Sequence, residues 1–168
     1  MTNTQPFVAV LMGSDSDLST MQSTLEVLDK FKISKEVKIT SAHRTPARTH
    51  EYVKDAEARG CQVFIAAAGL AAHLAGTVAG LTTRPVIGVP IEAGPLNGMD
   101  SLLSTVQMPG GIPVACVAIG KAGAKNAAYL AAQILALNDE ELSNRILDER
   151  AANAKSIAEK DAAVQGKY

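Results

Sequence analysis

Short apolar runs alternate with helix-like segments along most of this chain, and the alternation restricts the folds that it can adopt. Most of these runs are nearly continuous in Val, Ile, Leu and Ala, as expected of strands covered on both faces. The second run instead alternates between apolar and polar residues. The predicted strands span residues 7–12, 37–41, 63–68, 85–90 and 114–119. Strands separated by helices predict a parallel sheet with right-handed crossovers.

Helical patterns fill the intervals between the predicted strands. The first helix is marked by Leu18, Met21, Leu25 and Leu28 on one face, and Ser14 or Ser16 can cap it. Further helices are predicted at residues 46–59, 72–82, 101–107 and 122–137. The order of elements predicts an α/β fold with a five-stranded, doubly wound, flavodoxin-like sheet.

The C-terminal part is predicted to differ from the core at residues 7–137. Asn138 with Glu141 resembles the capped start of a final helix. The apolar stripe of that helix ends after Leu147, so residues 155–168 are interpreted as a polar tail, frayed or lying on a partner. The whole chain, residues 1–168, is predicted to form one domain.

Composition excludes several classes of partner. The net charge of −1 argues against broad binding to nucleic acid or a membrane surface, which needs a basic footprint. Residues 1–6 lack the basic region of a signal peptide, and the chain contains no apolar run of membrane-spanning length. Cys61 and Cys116 lack metal-binding spacing and are interpreted as reduced, mostly buried thiols. A cytoplasmic protein is predicted.

The most informative polar segment is 41–46, which follows the second strand and contains Ser41, His43 and Arg44. Pro46 suits the first turn of a helix, so the segment is predicted to be a strand-to-helix turn. In an open α/β sheet, ligands bind at such turns beyond the carboxyl ends of the strands. A hydroxyl, an imidazole and a guanidinium beside a helix N-terminus favour an anionic ligand.

Several known chemistries of such folds can be tested against the loops. The chain lacks both the dinucleotide fingerprint G-x-G-x-x-G and the nucleophile elbow G-x-S-x-G. Asp15, Asp17 and Lys121 stand where a response-regulator receiver domain carries its acidic pocket and lysine. Residues 66–69, however, contain no aspartate to accept phosphate, so the sequence does not fit a receiver domain. The hydroxyl-rich first loop leaves a mononucleotide-binding module as the non-enzymatic alternative.

Each candidate residue also has a purely structural interpretation. Ser14 with Asp17 can be a capping pair, and His43 a structural histidine. Arg44 is harder to explain this way, because a cation at a helix start opposes the helix dipole. His73 begins an apolar helix and is interpreted as a loop-fixing residue. Three scattered histidines without ligand spacing make a metal site improbable.

Five blocks of the chain, taken in order, resemble the N5-carboxyaminoimidazole ribonucleotide mutases of purine biosynthesis. The blocks are residues 13–17, 41–46, 71–74, 99–102 with 106–109, and 118–123. The likeness extends from about Val8 to Leu137. It implies a three-layer αβα sandwich, a homo-octamer, and neither a metal nor an organic cofactor.

The resemblance also implies roles for individual residues. Ser14, Ser41 and Arg44 would hold the substrate phosphate, Asp17 the ribose hydroxyls, and His43 would be the catalytic acid and base. Ser16, Gly69 and His73 complete the predicted substrate-binding set. The loop after the third strand departs from the family pattern, since Ala67 and Leu70 stand where glycines are common and Ala75 where proline is common.

The predicted reaction moves a carboxylate from the exocyclic nitrogen to ring carbon C4 of 5-aminoimidazole ribonucleotide. A related carboxylase that uses free CO2 is the alternative enzyme. The Ala-rich helix, with Ala at positions 122, 124, 127, 128, 131, 132 and 136, exceeds what one sheet-facing stripe needs. It is therefore predicted to lie at or near a subunit contact.

Overall fold

A computed structural model describes residues 6–166, which contain a sheet of five parallel strands in the order β2-β1-β3-β4-β5. The strands are β1 Phe7–Met12, β2 Lys35–Ile39, β3 Cys61–Gly69, β4 Val86–Ile91 and β5 Ala115–Cys116. This strand order is the flavodoxin-like one, and its switch point lies between β1 and β3. The predicted fold class is confirmed.

Helices cover both faces of the sheet. They are α1 Leu18–Lys30, α2 Pro46–Ala58, α3 Leu74–Ala79, α4 Met99–Val106, α5 Gly120–Ala136 and α6 Glu140–Gln165, with a short 3₁₀ turn at Asp15–Asp17 before α1. Alternate residues of β1 supply two separate cores. Val8, Val10 and Met12 pack with α1 and α5, whereas Phe7, Ala9 and Leu11 pack with α2 and α3. Helix, sheet and helix thus form three layers.

The second strand begins and ends two residues earlier than predicted. Met12, the last residue of β1, pairs with Ile39, and the Thr40 N–H donates to the Met12 carbonyl. The partner strand ends there, so the ladder ends there as well. Ser41 consequently lies in the loop rather than in the strand. Strand β3 runs from Cys61 to Gly69 and is therefore longer than the predicted strand at residues 63–68.

Two other predicted elements are shorter in the structure. Strand β5 covers two residues instead of 114–119, because the chain turns from the sheet edge toward α5, where Gly123 lies against the Ala118 backbone. Helix α3 begins after His73 and ends at Gly80, rather than spanning 72–82. Helix α4 begins two residues before its predicted start, where Gly98 adopts a φ of 83°.

The C-terminal segment is helical where a polar tail was predicted. Asp139, not Asn138, caps α6, because the Asp139 side chain accepts from the Leu142 N–H. The helix then continues to Gln165. Its second half lacks an apolar stripe but is rich in Ala, Glu and Lys, which have high helix propensity. The prediction was wrong because loss of amphipathicity was equated with loss of helix.

Five of the seven alanines of α5 are buried within the chain itself, whereas Ala122 is exposed and Ala136 is half-buried. Ala124, Ala127, Ala128, Ala131 and Ala132 are fully buried in the core shared with α1, the sheet and α6. Their number is explained by helices packing on more than one side of α5. The alanine pattern therefore no longer indicates a subunit contact.

Both thiols are free, with Cys61 buried and Cys116 half-buried. Burial raises the pKa of the Cys61 thiol to about 11, so it stays protonated at neutral pH. Within residues 6–166, no helix has the length and apolar character needed to cross a bilayer.

Candidate active site

A cleft of about 530 Å³ opens at the carboxyl ends of β1, β2 and β3. The structure places all eight predicted site residues around it: Ser14, Ser16, Asp17, Ser41, His43, Arg44, Gly69 and His73. They come from three loops separated in sequence. Their convergence follows from the parallel sheet, because the loops that follow neighbouring strands lie side by side at one edge.

The loop after β1 forms one wall of the cleft through a tight hydroxyl-rich turn. Ser14 caps the 3₁₀ turn, since its Oγ accepts from the Ser16 N–H at 3.3 Å. The Ser16 hydroxyl donates to Ser14 Oγ at 2.9 Å, and the Ser14 N–H donates to Asp17 Oδ2 at 3.1 Å. The capping pair of Ser14 and Asp17 considered from the sequence is thus present, but it caps the 3₁₀ turn and not α1 itself, where Asp17 is the N-cap residue and makes no side-chain cap bond. The same residues face the cleft.

Asp17 is the one buried carboxylate among these eight residues, with 7% of its surface exposed. Desolvation raises the pKa of Asp17 above its ordinary value, although hydrogen bonds from the Ser14 and Gly13 backbone and the Ser16 side chain oppose this. A desolvated carboxylate is a strong acceptor for hydroxyl donors. Asp17 can therefore bind a diol that enters the cleft.

The loop after β2 carries the cationic side of the cleft. Ser41 Oγ accepts from the Arg44 N–H at 3.1 Å, which folds residues 41–44 into a turn before α2. Thr45 closes the same turn, because its hydroxyl accepts from the Ser41 N–H and donates to the Ser41 carbonyl. The exposed Arg44 guanidinium reaches across to the Gly13 carbonyl at 3.4 Å. A guanidinium and several hydroxyls therefore lie around one opening.

The two histidines contact each other from different loops. His43 Nε2 lies 2.7 Å from His73 Nδ1, and the rings meet edge to face at 77° with centroids 4.8 Å apart. One of these two nitrogens must donate and the other accept, so the tautomer of one ring fixes that of the other. Sequence reasoning placed both residues in the site but gave no indication of this contact.

The remaining lining is apolar and was not singled out from the sequence as binding residues. It consists of Ala42, Ala68, Leu70, Ala71, Leu74 and Ala93, together with the Gly13 backbone. Leu70 is distinctive, because its φ of 56° lies in the left-handed region that glycine favours. The glycine common there in the family pattern was the available signal for that conformation. Ala93 comes from the loop after β4.

Across residues 6–166, no three His, Cys, Asp or Glu side chains gather into a group that could hold a metal ion. The polar groups of the cleft instead suit an anion, a diol and a proton exchange. Such a combination has the chemistry that a phosphorylated sugar derivative would require.

Comparison with known proteins identifies the family. Residues 7–156 match the family model described as AIR carboxylase. The N5-carboxyaminoimidazole ribonucleotide mutase of Bacillus subtilis is 56% identical over 151 residues, which is 90% of this chain and 93% of the relative. The mutase of the same name from Escherichia coli is 51% identical over 152 residues, 90% of each chain.

A solved structure shows the same fold. The crystal structure of Treponema denticola PurE superposes with a TM-score of 0.85 at 34% identity, covering 94% of this chain and 97% of that one. The chain belongs to the AIR carboxylase family. The predicted family and the predicted class of enzyme, an isomerase, are confirmed by these relatives.

Proposed function

We propose that this chain catalyses the isomerisation for which its mutase relatives are named, as a step of de novo purine biosynthesis. The enzyme would move a carboxylate from the exocyclic nitrogen of 5-aminoimidazole ribonucleotide to ring carbon C4. One observation carries the proposal. Anion-binding groups and a pair of hydrogen-bonded imidazoles lie on the walls of the same cleft.

Phosphate and ribose are held away from the reacting atoms in this proposal. Ser14, Ser41 and Arg44 bind the phosphate, because hydroxyls and a guanidinium at helix starts suit a dianion. Asp17 accepts from the ribose hydroxyls. The Ser16 hydroxyl donates to Ser14 Oγ and thereby keeps the Ser14 hydroxyl toward the phosphate. The imidazole base of the substrate then extends toward Gly69, His43 and His73.

The reaction balances without a co-reactant. The bond between the exocyclic nitrogen and its carboxylate carbon breaks, which releases CO2 and leaves a proton to be supplied to that nitrogen. A new bond forms between C4 and the same CO2, and the C4 proton then leaves. His43 donates the first proton and accepts the second, since an imidazole does both near neutral pH. The apolar lining confines the released CO2 beside the ring, so that its effective concentration at C4 is high. A second encounter with CO2 from solution is therefore not needed.

His73 supports this exchange by its hydrogen bond to His43. When the His43 ring changes protonation state, the shared hydrogen bond either persists or reverses its direction. His73 thereby keeps the His43 ring in one orientation through both proton transfers. Asp17 and Arg44 are unsuited to the acid-base role, because a carboxylate is a weak base and a guanidinium stays protonated.

The decisive experiment follows the carboxylate carbon itself. Purified protein is given N5-carboxyaminoimidazole ribonucleotide labelled with ¹³C in the carboxylate, in buffer with unlabelled bicarbonate and without added metal or cofactor. We expect the C4-carboxylated product to keep most of the label. Loss of label, or turnover from 5-aminoimidazole ribonucleotide and CO2 alone, would indicate the free-CO2 carboxylase. Binding without turnover of either substrate would indicate a mononucleotide-binding module.

We also propose that the chain acts as a cytoplasmic homo-octamer, without partners in nucleic acid or membrane. Exposed apolar side chains on one stripe of α4, at Met99, Leu103 and Val106, give a surface suited to burial between copies. Light scattering at working concentration should give the mass of eight chains rather than the 17.5 kDa of one.

A further inference from the structure

A serine outside the cleft lining connects α4 to the loop that carries His73. Ser104 Oγ accepts from the Ala72 N–H at 3.2 Å and lies 3.5 Å from the Leu70 carbonyl oxygen. Its hydroxyl also contacts the Asp100 carbonyl in the preceding turn of α4. A single hydroxyl thus contacts the backbone on both sides of Ala71. Ser104 comes from the helix after β4, whereas the turn follows β3.

The turn held by Ser104 has an unfavourable backbone conformation. Leu70 has a φ of 56°, a backbone conformation that residues other than glycine and asparagine rarely adopt. Such a residue persists only where the surrounding contacts enforce it. Side-chain packing helps, because a Cβ placed on Gly94 would be only 2.8 Å from Leu70 Cδ2. Ser104 holds the C-terminal side of the turn by accepting from the Ala72 N–H, and its oxygen also lies against the Leu70 carbonyl.

The same turn sets the position of the imidazole pair. The His73 N–H donates to the Ala71 carbonyl at 2.9 Å, so His73 is fixed relative to the turn, not only relative to α3. Its ring then meets His43 at 2.7 Å. A shift of the turn by a fraction of an ångström would lengthen this contact beyond hydrogen-bond distance.

We propose that Ser104 is a positioning residue for the reaction: it holds the turn at residues 70–72 so that His73 keeps the His43 imidazole in its working orientation. The inference rests on the proposed function, and it concerns the proton-transfer step rather than substrate capture. Ser14, Ser41 and Arg44 lie on other loops, so phosphate binding should not depend on Ser104.

The test compares wild type with Ser104→Ala, Ser104→Thr and Thr105→Val. Thr105→Val is the matched control, because the neighbouring Thr105 hydroxyl donates to the Ser101 carbonyl within α4 at 2.7 Å. Valine keeps the shape of threonine and removes that bond. Ser104→Thr restores the hydroxyl. Each protein is measured for kcat, KM and Tm, and for deuterium uptake of the peptide that covers residues 70–76.

We expect Ser104→Ala to lower kcat roughly tenfold with KM changed less than about threefold, since misplacement of a catalytic group acts on the chemical step. Uptake at residues 70–76 should rise in Ser104→Ala. Ser104→Thr should recover most of kcat. Thr105→Val should resemble wild type in kcat and in uptake at residues 70–76, whatever its Tm.

Two results would overturn the inference. One is a Ser104→Ala protein with wild-type kcat and wild-type uptake. The other is a loss of kcat that Thr105→Val shares in proportion to its fall in Tm, which would mark a general weakening of α4. An inactive wild type would count against the proposed function instead. In that case, unchanged uptake in Ser104→Ala would still contradict the positioning role.

Discussion

At the scale of single residues, the proposed function assigns substrate binding and proton transfer to different groups of the cleft. Hydroxyls, a carboxylate and a guanidinium lie on the loops after β1 and β2, while the two imidazoles bridge the loops after β2 and β3. This division makes different kinetic parameters sensitive to different substitutions. It also supplies controls, because α2 carries further exposed His and Arg side chains outside the cleft.

His43→Asn should lower kcat by about 10²-fold or more, because asparagine cannot exchange the proton that general acid-base catalysis requires. Substrate affinity and Tm should stay near wild type, since the proposed function assigns phosphate and ribose to other residues. His50→Asn is the control, as His50 lies exposed on α2. Near-normal turnover in His43→Asn would show that another group is the acid and base.

Arg44→Ala should raise KM about tenfold with a smaller effect on kcat, because a charge-assisted hydrogen bond to phosphate is lost. Arg48→Ala removes an exposed arginine from the first turn of α2, outside the cleft, and should leave KM unchanged. The comparison is completed by the ribonucleoside that lacks phosphate. If wild type binds it as tightly as the ribonucleotide, Arg44 is not a phosphate ligand.

Leu70 allows backbone strain to be measured directly. A left-handed conformation costs an L residue about 1–2 kcal/mol, and glycine avoids that cost but loses more chain entropy on folding. Leu70→Gly should therefore be more stable than Leu70→Ala by roughly 0.5–1 kcal/mol. Urea denaturation of the two variants measures the difference. Equal stability would mean that the strain is relieved by the surroundings.

Loop residues were predictable here because chemistry and topology agree. Apolar runs end at known positions, and a parallel sheet brings those ends to one edge, which indicated a site at residues 41–46. The full set of eight candidates, Gly69 and His73 among them, was implied by the resemblance to the mutase family. The His43–His73 contact could not be predicted, because it depends on how the two rings are oriented once α2 and β3 have folded between them. The contact of Ser104 with the turn at residues 70–72 could not be predicted either, since Ser104 lies on the helix after β4 and the turn follows β3.

At the scale of elements, close packing explains where the strands and helices end. Gly123 lets the start of α5 approach the preceding loop, since a Cβ there would stand 1.5 Å from the Ala118 carbonyl oxygen. The sequence indicated a helix from about residue 122 but not this contact. The shortness of β5 was likewise unpredictable, because residues 114–119 have strand composition and only their tertiary position removes them from the ladder.

Gly123→Ala should destabilise the chain by about 3 kcal/mol, because the clash is with backbone and cannot be relieved by a rotamer change. Gly110→Ala is the control, since a Cβ built there has no atom within 4 Å from any described residue beyond its two chain neighbours. It should change stability by less than about 0.5 kcal/mol. Thermal unfolding of both variants tests this. A stable Gly123→Ala protein would require the 117–119 segment to move.

At the scale of the whole molecule, an ionic cluster joins α6 to α1 and α5, beside the apolar contacts of Leu142 and Ile146. Glu149 is buried and accepts from Lys30 of α1 and from the Tyr129 hydroxyl of α5. Burial alone would raise the pKa of Glu149, but the hydrogen bonds from Lys30 and Tyr129 outweigh it and lower the pKa below 4.5. The ion pair is therefore formed at neutral pH.

Glu149→Gln should cost about 1–2 kcal/mol at pH 7, less than a fully buried pair would cost because the Lys30 side chain is 55% exposed. A carboxyl group whose pKa is lowered in the folded state stabilises the fold at pH values above its unfolded-state pKa. This stabilisation is lost as the pH falls through the folded-state pKa. The difference from wild type should thus be constant near neutrality and shrink below about pH 4.5.

Glu141→Gln is the control for that titration, because its carboxylate is 84% exposed on the same helix and, within residues 6–166, pairs only with Arg145 one turn away. Unfolding midpoints in urea from pH 3 to pH 8 provide the measurement. A difference between Glu149→Gln and wild type that grows toward acid would contradict the assigned direction.

The length of α6 also determines how one chain would diffuse. At 1.5 Å per residue its 26 residues extend for about 39 Å, whereas a compact chain of 168 residues has a radius of gyration of about 15 Å. The side chains of α6 that are buried are Leu142, Ile146 and Glu149, all in its first half. An isolated chain would therefore be a globule with a protruding rod, and its friction would exceed that of a sphere of equal mass. Sedimentation velocity would detect the protruding helix as a raised frictional ratio. In an assembly that packs α6 between its subunits, the frictional ratio would fall back toward one.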